Sequence, residues 1–381
     1  MFISTCQTGF TPSNPNVSEG MPNARFRLSG SATLVPMCEI SRRSLLRGTA
    51  AAGSLGLANL GAQTALNESG VNKVDMLSTG IYFHQGDLTK KGHCNNGWVV
   101  FKDYVLVIDA NFPSGAQEIL PKIRALTDKP IRFAFDTHHH GDHAYGNQVW
   151  IDNGATAVGH TGVVEEMMKY ETGYYGGKPG RWEEEARARA DLKPTHLSPP
   201  SLLFPKELYF DDGVHRVELL HLGVAHTHGD AVAWLPKERI LFTGDVCVNG
   251  PYNYVGDGNV EQWIPTLAEA RKLGARIVCP GHGARGGDSD LADQQFFFQQ
   301  LREAVGAEVT AKHTPRQITA NLEHLRASLL EQSRCARYVG KDSLGAQVGK
   351  VYEEMTGEKF QVGPARAAKL EHAHAHRLQL V

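Results

Sequence analysis

Six cysteines in 381 residues make no disulfide framework, and no Cys-x-x-Cys pair occurs. No run of 18 or more apolar residues occurs, which argues against stable insertion in a membrane. Charge of either sign is also missing in excess. Thirty-nine Lys and Arg nearly cancel 41 Asp and Glu, a net of −2, which argues against a general nucleic-acid binder. What remains is an ordinary globular balance, 41% hydrophobic and 21% charged, able to bury a core. At roughly 150 residues per domain this length predicts two domains, or one large domain with extensions. The unusual abundance is histidine. Eighteen outnumber 15 Phe and 11 Tyr, and point to imidazole chemistry.

The chain is uneven along its length. Residues 1–36 are rich in Pro, Ser, Thr and Asn without periodicity, and read as a disordered extension. Ser41-Arg42-Arg43-Ser44-Leu45-Leu46-Arg47 and the Ala/Gly-rich run after it resemble a twin-arginine export signal over residues 37–66. Met37 then stands where translation is expected to start, leaving 1–36 untranslated. On this reading the protein is exported, to the periplasm, and stays cytoplasmic if the signal is not used.

Residues 70–287 read as the folded body. Short apolar runs at 80–83, 98–101, 104–109, 131–135, 217–222, 231–235, 240–243 and 276–279 are expected strands. Ser114 to Gln117 has capping-box spacing before a helical stripe of Ile119, Leu120, Ile123 and Leu126, which Pro121 would kink or shorten. A second helix is expected over 260–273, with Trp263, Leu267 and Ala270 on one face and Gly274 as its stop. Residues 161–205 break the rhythm and read as a partly helical insertion. Residues 288–381 read as a helical C-terminal extension. Strand–helix–strand units mixed with hairpins predict an α/β fold, a mixed sheet covered by helices.

The sharpest motif is Thr137-His138-His139-His140-Gly141-Asp142-His143, directly after a strand. Alternate residues His138 and His140 can face one side of a tight loop, while Asp142 and His143 reach another. Imidazole with carboxylate suits zinc, and also iron or manganese. Four donors exceed the three that one catalytic zinc needs, so a second ion and distant ligands are expected. Candidates are His226 in Gly223-Val224-Ala225-His226-Thr227-His228-Gly229-Asp230, Asp245 in Phe242-Thr243-Gly244-Asp245, and His282 in Pro280-Gly281-His282-Gly283.

With these four motifs in order, the stretch from about 80 to 285 resembles the metallo-β-lactamase superfamily. The resemblance implies a four-layer αβ/βα sandwich and two zinc ions per chain. It places His138, His140 and His226 on one ion and Asp142, His143 and His282 on the other, with Asp245 bridging. It implies that Asp109 supports the metal loop from behind, with His139 and His228 lining the cleft or backing the ligands. The implied chemistry is attack by a metal-bound hydroxide on an ester, thioester, lactone or lactam of a small-molecule substrate, with Asp142 orienting the nucleophile or moving its proton. The alternative on the same fold is an iron-dependent oxidoreductase, disfavoured because His140 stands where such members usually carry Glu. An RNA-processing nuclease is disfavoured by the charge balance.

Asp245 resembles the glyoxalase II-like and lactonase branches. Val248 stands where some lactamases place Lys and homoserine-lactone hydrolases place Tyr. Cys247 could share the face of Asp245 or be a buried hydrophobe, and Tyr174, Tyr175, Tyr252 and Tyr254 could line a cleft or pack in loops. His372, His374 and His376 form an alternating tail best read as solvated.

Overall fold

The computed structural model describes residues 70–169 and 180–361. Met37, the Arg42-Arg43 pair, Tyr174, Tyr175 and the tail histidines 372, 374 and 376 lie outside these residues.

Two sheets are formed. The first runs β1 (Val74–Ser78), β2 (Ile81–His84), β3 (Asn96–Val100), β4 (Val105–Ile108), β5 (Ile131–Asp136), β6 (Thr156–His160) and β7 (Leu202–Phe204) in spatial order. Its first four strands are antiparallel and β4 to β7 are parallel. The second is ordered β12 (Ile277–Pro280), β11 (Ile240–Gly244), β10 (Val232–Leu235), β9 (Arg216–Leu220) and β8 (Glu207–Asp211). There only β11 and β12 are parallel.

The helices are α1 (Leu88–Lys91), α2 (Pro113–Arg124), α3 (Gly141–Ala144), α4 (Asn147–Asp152), α5 (Thr161–Met168), α6 (Arg181–Ala188), α7 (Val260–Lys272), α8 (Asp288–Thr310), α9 (Pro315–Ala320), α10 (Leu322–Glu331) and α11 (Leu344–Thr356).

Strand alternation explains the layering. In the β3–β4 pair, Val99 and Leu106 are partners and face the second sheet, while Trp98 and Val107 face α2 and α4. In the β10–β11 pair, Ala233 and Phe242 face inward, while Trp234 and Leu241 face α7, α8 and α11. Both faces of each sheet are therefore covered, which is why the central strands read as unbroken apolar runs. The result is the four-layer αβ/βα sandwich. Each fully buried Val, Leu, Ile or Phe in these layers contributes about 1.5–3 kcal/mol.

Two local expectations change. Helix α2 is capped at Phe112 without a side-chain bond, and Pro113 occupies its first turn. Pro113, whose fixed φ suits that position, starts the helix ahead of Ser114. Ser114 is left free to donate to Asp191 (2.6 Å). Pro121 lies within α2, which runs on to Arg124. Strands β1, β6, β7 and β8 also go beyond the apolar runs, and β7 lies inside the stretch read as an insertion. Among the described residues no helix is long and apolar enough to cross a membrane. The four cysteines at 94, 247, 279 and 335 are free and buried.

Candidate metal centre

The parallel strands set the place of the site. β4 ends into Asp109, β5 into Thr137-His138, β11 into Asp245 and β12 into Gly281-His282. The carboxyl ends of parallel strands in the two sheets thus open on one crevice, the usual location for ligand sites in α/β sheets. Helix α3 turns Asp142 and His143 back into it, and the loop after β9 brings His226.

Two groups of side chains result. In the first, His140 Nδ1 lies 3.1 Å from His138 Nε2 and 2.7 Å from His226 Nε2. In the second, His282 Nε2 lies 3.1 Å from Asp142 Oδ2 and 3.4 Å from His143 Nε2. Asp245 stands between them. Its Oδ2 is 3.3 Å from His282 Nε2 and 3.5 Å from His226 Nε2, and its Oδ1 is 3.4 Å from His143 Nε2. All seven residues singled out in the sequence are brought together, and only Asp142 keeps appreciable exposure, 22% of its side chain.

The outer nitrogens explain the inner ones. His138 Nδ1 donates to Thr137 Oγ1 (3.1 Å), His140 Nε2 to Asp257 Oδ2 (2.8 Å) and His226 Nδ1 to the Tyr254 carbonyl (2.9 Å). His143 Nδ1 faces Asp109 Oδ2 at 3.0 Å. The three outer bonds of the first group hold the ring proton on the far side and leave a lone pair on each inner nitrogen. Buried lone pairs this close repel one another unless a cation lies among them. Asp245 Oδ1, buried with no hydrogen-bond partner, adds to that demand.

The electrostatics agree. Burial, reinforced by the neighbouring imidazoles, drives His138 well below the usual histidine range and His226 down to about 3, keeping both neutral. In the second group burial also acts to lower the histidines, but carboxylates prevail. Asp109, Asp142 and Asp245 push His143 up to about 9, and Asp245 and Asp142 raise His282. Asp142 and Asp245 are held below the usual carboxylate range, against burial, chiefly by His143 and His282. The pocket is built to hold positive charge, and its donor set fits metal ions.

Asp109 sits where support is needed. Its Oδ1 accepts from Thr137 N (2.9 Å) and Oγ1 (2.7 Å), so one carboxylate fixes the metal loop and orients His143. His139 is buried beside His140, ring centroids 4.6 Å apart. His228 is not brought to the cluster. Its ring faces Glu166 (3.2 Å) and Glu165 (3.5 Å) on α5. Cys247 turns away into the apolar layer behind the second sheet, whereas Cys94 lies beside Asp109 and His143.

Several residues beside the ligands were not singled out in the sequence. Asp257 binds both His140 and Arg181 Nη1 (3.1 Å), which ties α6 to the metal loop. Glu185 on α6 is buried, its carboxyl pushed up to about 7 mainly by burial. Asn96 Nδ2 donates to the Asp109 carbonyl (2.6 Å). The polar pair Asn95-Asn96 at the mouth of an apolar strand is the one usable signal. Asp257, between two glycines and 117 residues from His140, offers none.

A profile of the metallo-beta-lactamase superfamily matches residues 89–282, just over half of the chain. The metallo-beta-lactamase type 2 of Bacillus cereus is 25% identical over 229 residues, 58% of this chain and 80% of that protein. The type 2 enzyme of Bacteroides fragilis is 37% identical over 93 residues, which cover 23% of this chain and only 37% of the relative. A solved metallo-beta-lactamase from Pontibacter korlensis aligns with a TM-score of 0.48 at 20% identity, over 60% of this chain and 98% of its own. The chain belongs to the metallo-beta-lactamase superfamily and is a metal-dependent hydrolase.

Proposed function

We propose that the protein is a dinuclear zinc hydrolase acting on an ester, thioester, lactone or lactam. The observation that carries this is the convergence of imidazole nitrogens and carboxylate oxygens in two adjoining groups, with Asp245 between them. His138, His140 and His226 would hold one ion, Asp142, His143 and His282 the other, and Asp245 both. Two ions there would supply an activated water near neutral pH and polarise the substrate carbonyl. The chain's own residues do the rest. Asp142, the most exposed of the ligands, orients the attacking water and carries its proton towards the leaving group.

Val248 is buried, and its amide donates to Gln294 (2.8 Å), so that position presents no cation to a substrate carboxylate. Recognition falls to the rim, where the Tyr252 ring lies 6.2 Å from His282 and Arg181 pairs with Asp257. The arginine pair at 42–43 supports export to the periplasm as part of this proposal, tested by fractionating cells that express the native chain.

The decisive measurement is metal content of the full-length protein, followed by an ester, thioester, lactone and β-lactam panel. Two zinc per chain with hydrolysis is expected. One iron with oxygen consumption overturns the proposal in favour of oxidoreductase chemistry.

A further inference from the structure

His282 is held in an unusual way. It lies between Gly281 and Gly283, and both glycines are required by close packing. A Cβ at 281 would stand 2.0 Å from Asp245 Oδ1, and one at 283, where φ is +88°, would stand 2.0 Å from the Asn249 carbonyl. Glycine permits these approaches but contributes no side chain to fix the backbone, and it has the most conformational freedom to lose. A ligand carried on such a loop needs its position imposed from outside.

The Gly281 N–H donates to the Gly244 carbonyl at 2.8 Å, and Asn95 holds most of the loop's carbonyls. Its amide nitrogen Nδ2 donates to the carbonyls of Pro280 and Gly283, both at 2.8 Å, and its backbone N–H donates to the Gly281 carbonyl at 2.8 Å. The remaining carbonyl of the loop, that of His282, accepts from Asn249 N at 2.9 Å. Three of the four consecutive carbonyls around the ligand therefore end on one residue. Asn95 is itself buried, and its Oδ1 accepts from Gly86 N at 3.0 Å. That last bond closes the loop carrying α1 onto the same residue.

We propose that Asn95 is a positioning residue for the second metal ion, clamping the Pro280–Gly283 backbone so that His282 Nε2 is presented to the Asp142, His143 and Asp245 group. The inference rests on the dinuclear reading above. It makes a selective claim, because Asn95 has no bond to His138, His140 or His226. A residue that merely stabilises the fold would weaken both ions alike.

The test is stepwise cobalt(II) titration of the metal-free full-length chain, read by the visible spectrum of each equivalent. Asn95→Ala removes the two side-chain bonds to the Pro280 and Gly283 carbonyls and leaves the backbone bond to Gly281, and Asn95→Asp keeps the shape and the acceptor for Gly86 while turning an oxygen towards two carbonyls. Both are expected to weaken one equivalent about 10–100-fold and leave the other unchanged. Equal loss of both equivalents, or of neither, overturns the assignment. His282→Ala is run alongside. If it too leaves both equivalents intact, the dinuclear reading fails; if it removes one while the Asn95 variants do not, only the clamp fails. Should the Asn95 variants not fold, hydrogen exchange on the unmodified chain decides the matter. The amides of Gly86 and Asn95 should slow when the second equivalent is added, and unchanged exchange overturns the proposal.

Discussion

The two halves of the metal centre use the same ring for opposite electrostatic ends. His138, His140 and His226 meet chiefly one another, with Asp245 at their edge and their outer protons given to a hydroxyl, a carboxylate and a carbonyl. His143 and His282 instead meet Asp142 and Asp245, with Asp109 behind. Burial is nearly complete in both, so what separates them is the number of neighbouring carboxylates. The first half is a set of nitrogen donors, in which burial keeps His138 and His226 neutral. The second is an anionic basket that draws a cation by charge, and it offers the carboxylate best placed to handle a proton.

The residue that joins the halves provides the largest expected break. Asp245→Ala should lower the occupancy of both ions and cut hydrolysis by orders of magnitude, measured by metal analysis and initial rates. Loss of a single ion with the other fully retained would show that Asp245 belongs to one half only.

A smaller effect separates the halves. Asp257→Ala should weaken the ion of the imidazole half about 10–100-fold, and Asp109→Ala that of the carboxylate half by a similar factor. Competition with a chelator, read one equivalent at a time, distinguishes them. If each variant weakens both ions, the outer bonds do not act locally.

The metal-free protein offers a third contrast. Folded His226 titrates near 3, against about 6.5 when unfolded, so the unfolded chain takes up a proton that the folded one refuses. Its contribution falls as pH drops below 6.5 towards 3. His143 is raised to about 9, so its stabilisation is full below 6.5 and is lost as pH rises through 9. Thermal melts should show the two slopes with opposite sign, and His226→Ala should flatten only the acid one. In a domain of this size, about 1 kcal/mol corresponds to roughly 2–4 °C.

The smallest effect is expected at the rim. Arg181 is partly exposed and pairs with Asp257, and such pairs are worth about 0–1 kcal/mol. Arg181→Gln should therefore change the affinity of the imidazole half by about fivefold or less. A change as large as that from Asp257→Ala would make α6 part of the metal site rather than its cover.

Much of the fold and most of the site are legible in the residues alone. The strands at the centre of both sheets are apolar on both faces and stand out as runs, and four ligand candidates lie within six residues of one turn. The strands without such a signal are short or of mixed polarity: Val74-Asp75-Met76-Leu77-Ser78, Thr156 to His160, the three residues of β7 and the edge strand Glu207 to Asp211. Strand alternation would set Cys247 level with Asp245, but β11 ends at Gly244, so that rule does not extend to it.

The donors themselves, and their order along the chain, were determined by the sequence, because metal chemistry selects residue types and tight turns need short spacings. Which lone pairs meet was decided by the tertiary structure. Asn95 reaches Pro280 across 185 residues and His140 reaches Asp257 across 117. Contacts of that length leave no periodicity to read, since they arise only when two sheets pack and bring the ends of β5, β11 and β12 to one crevice.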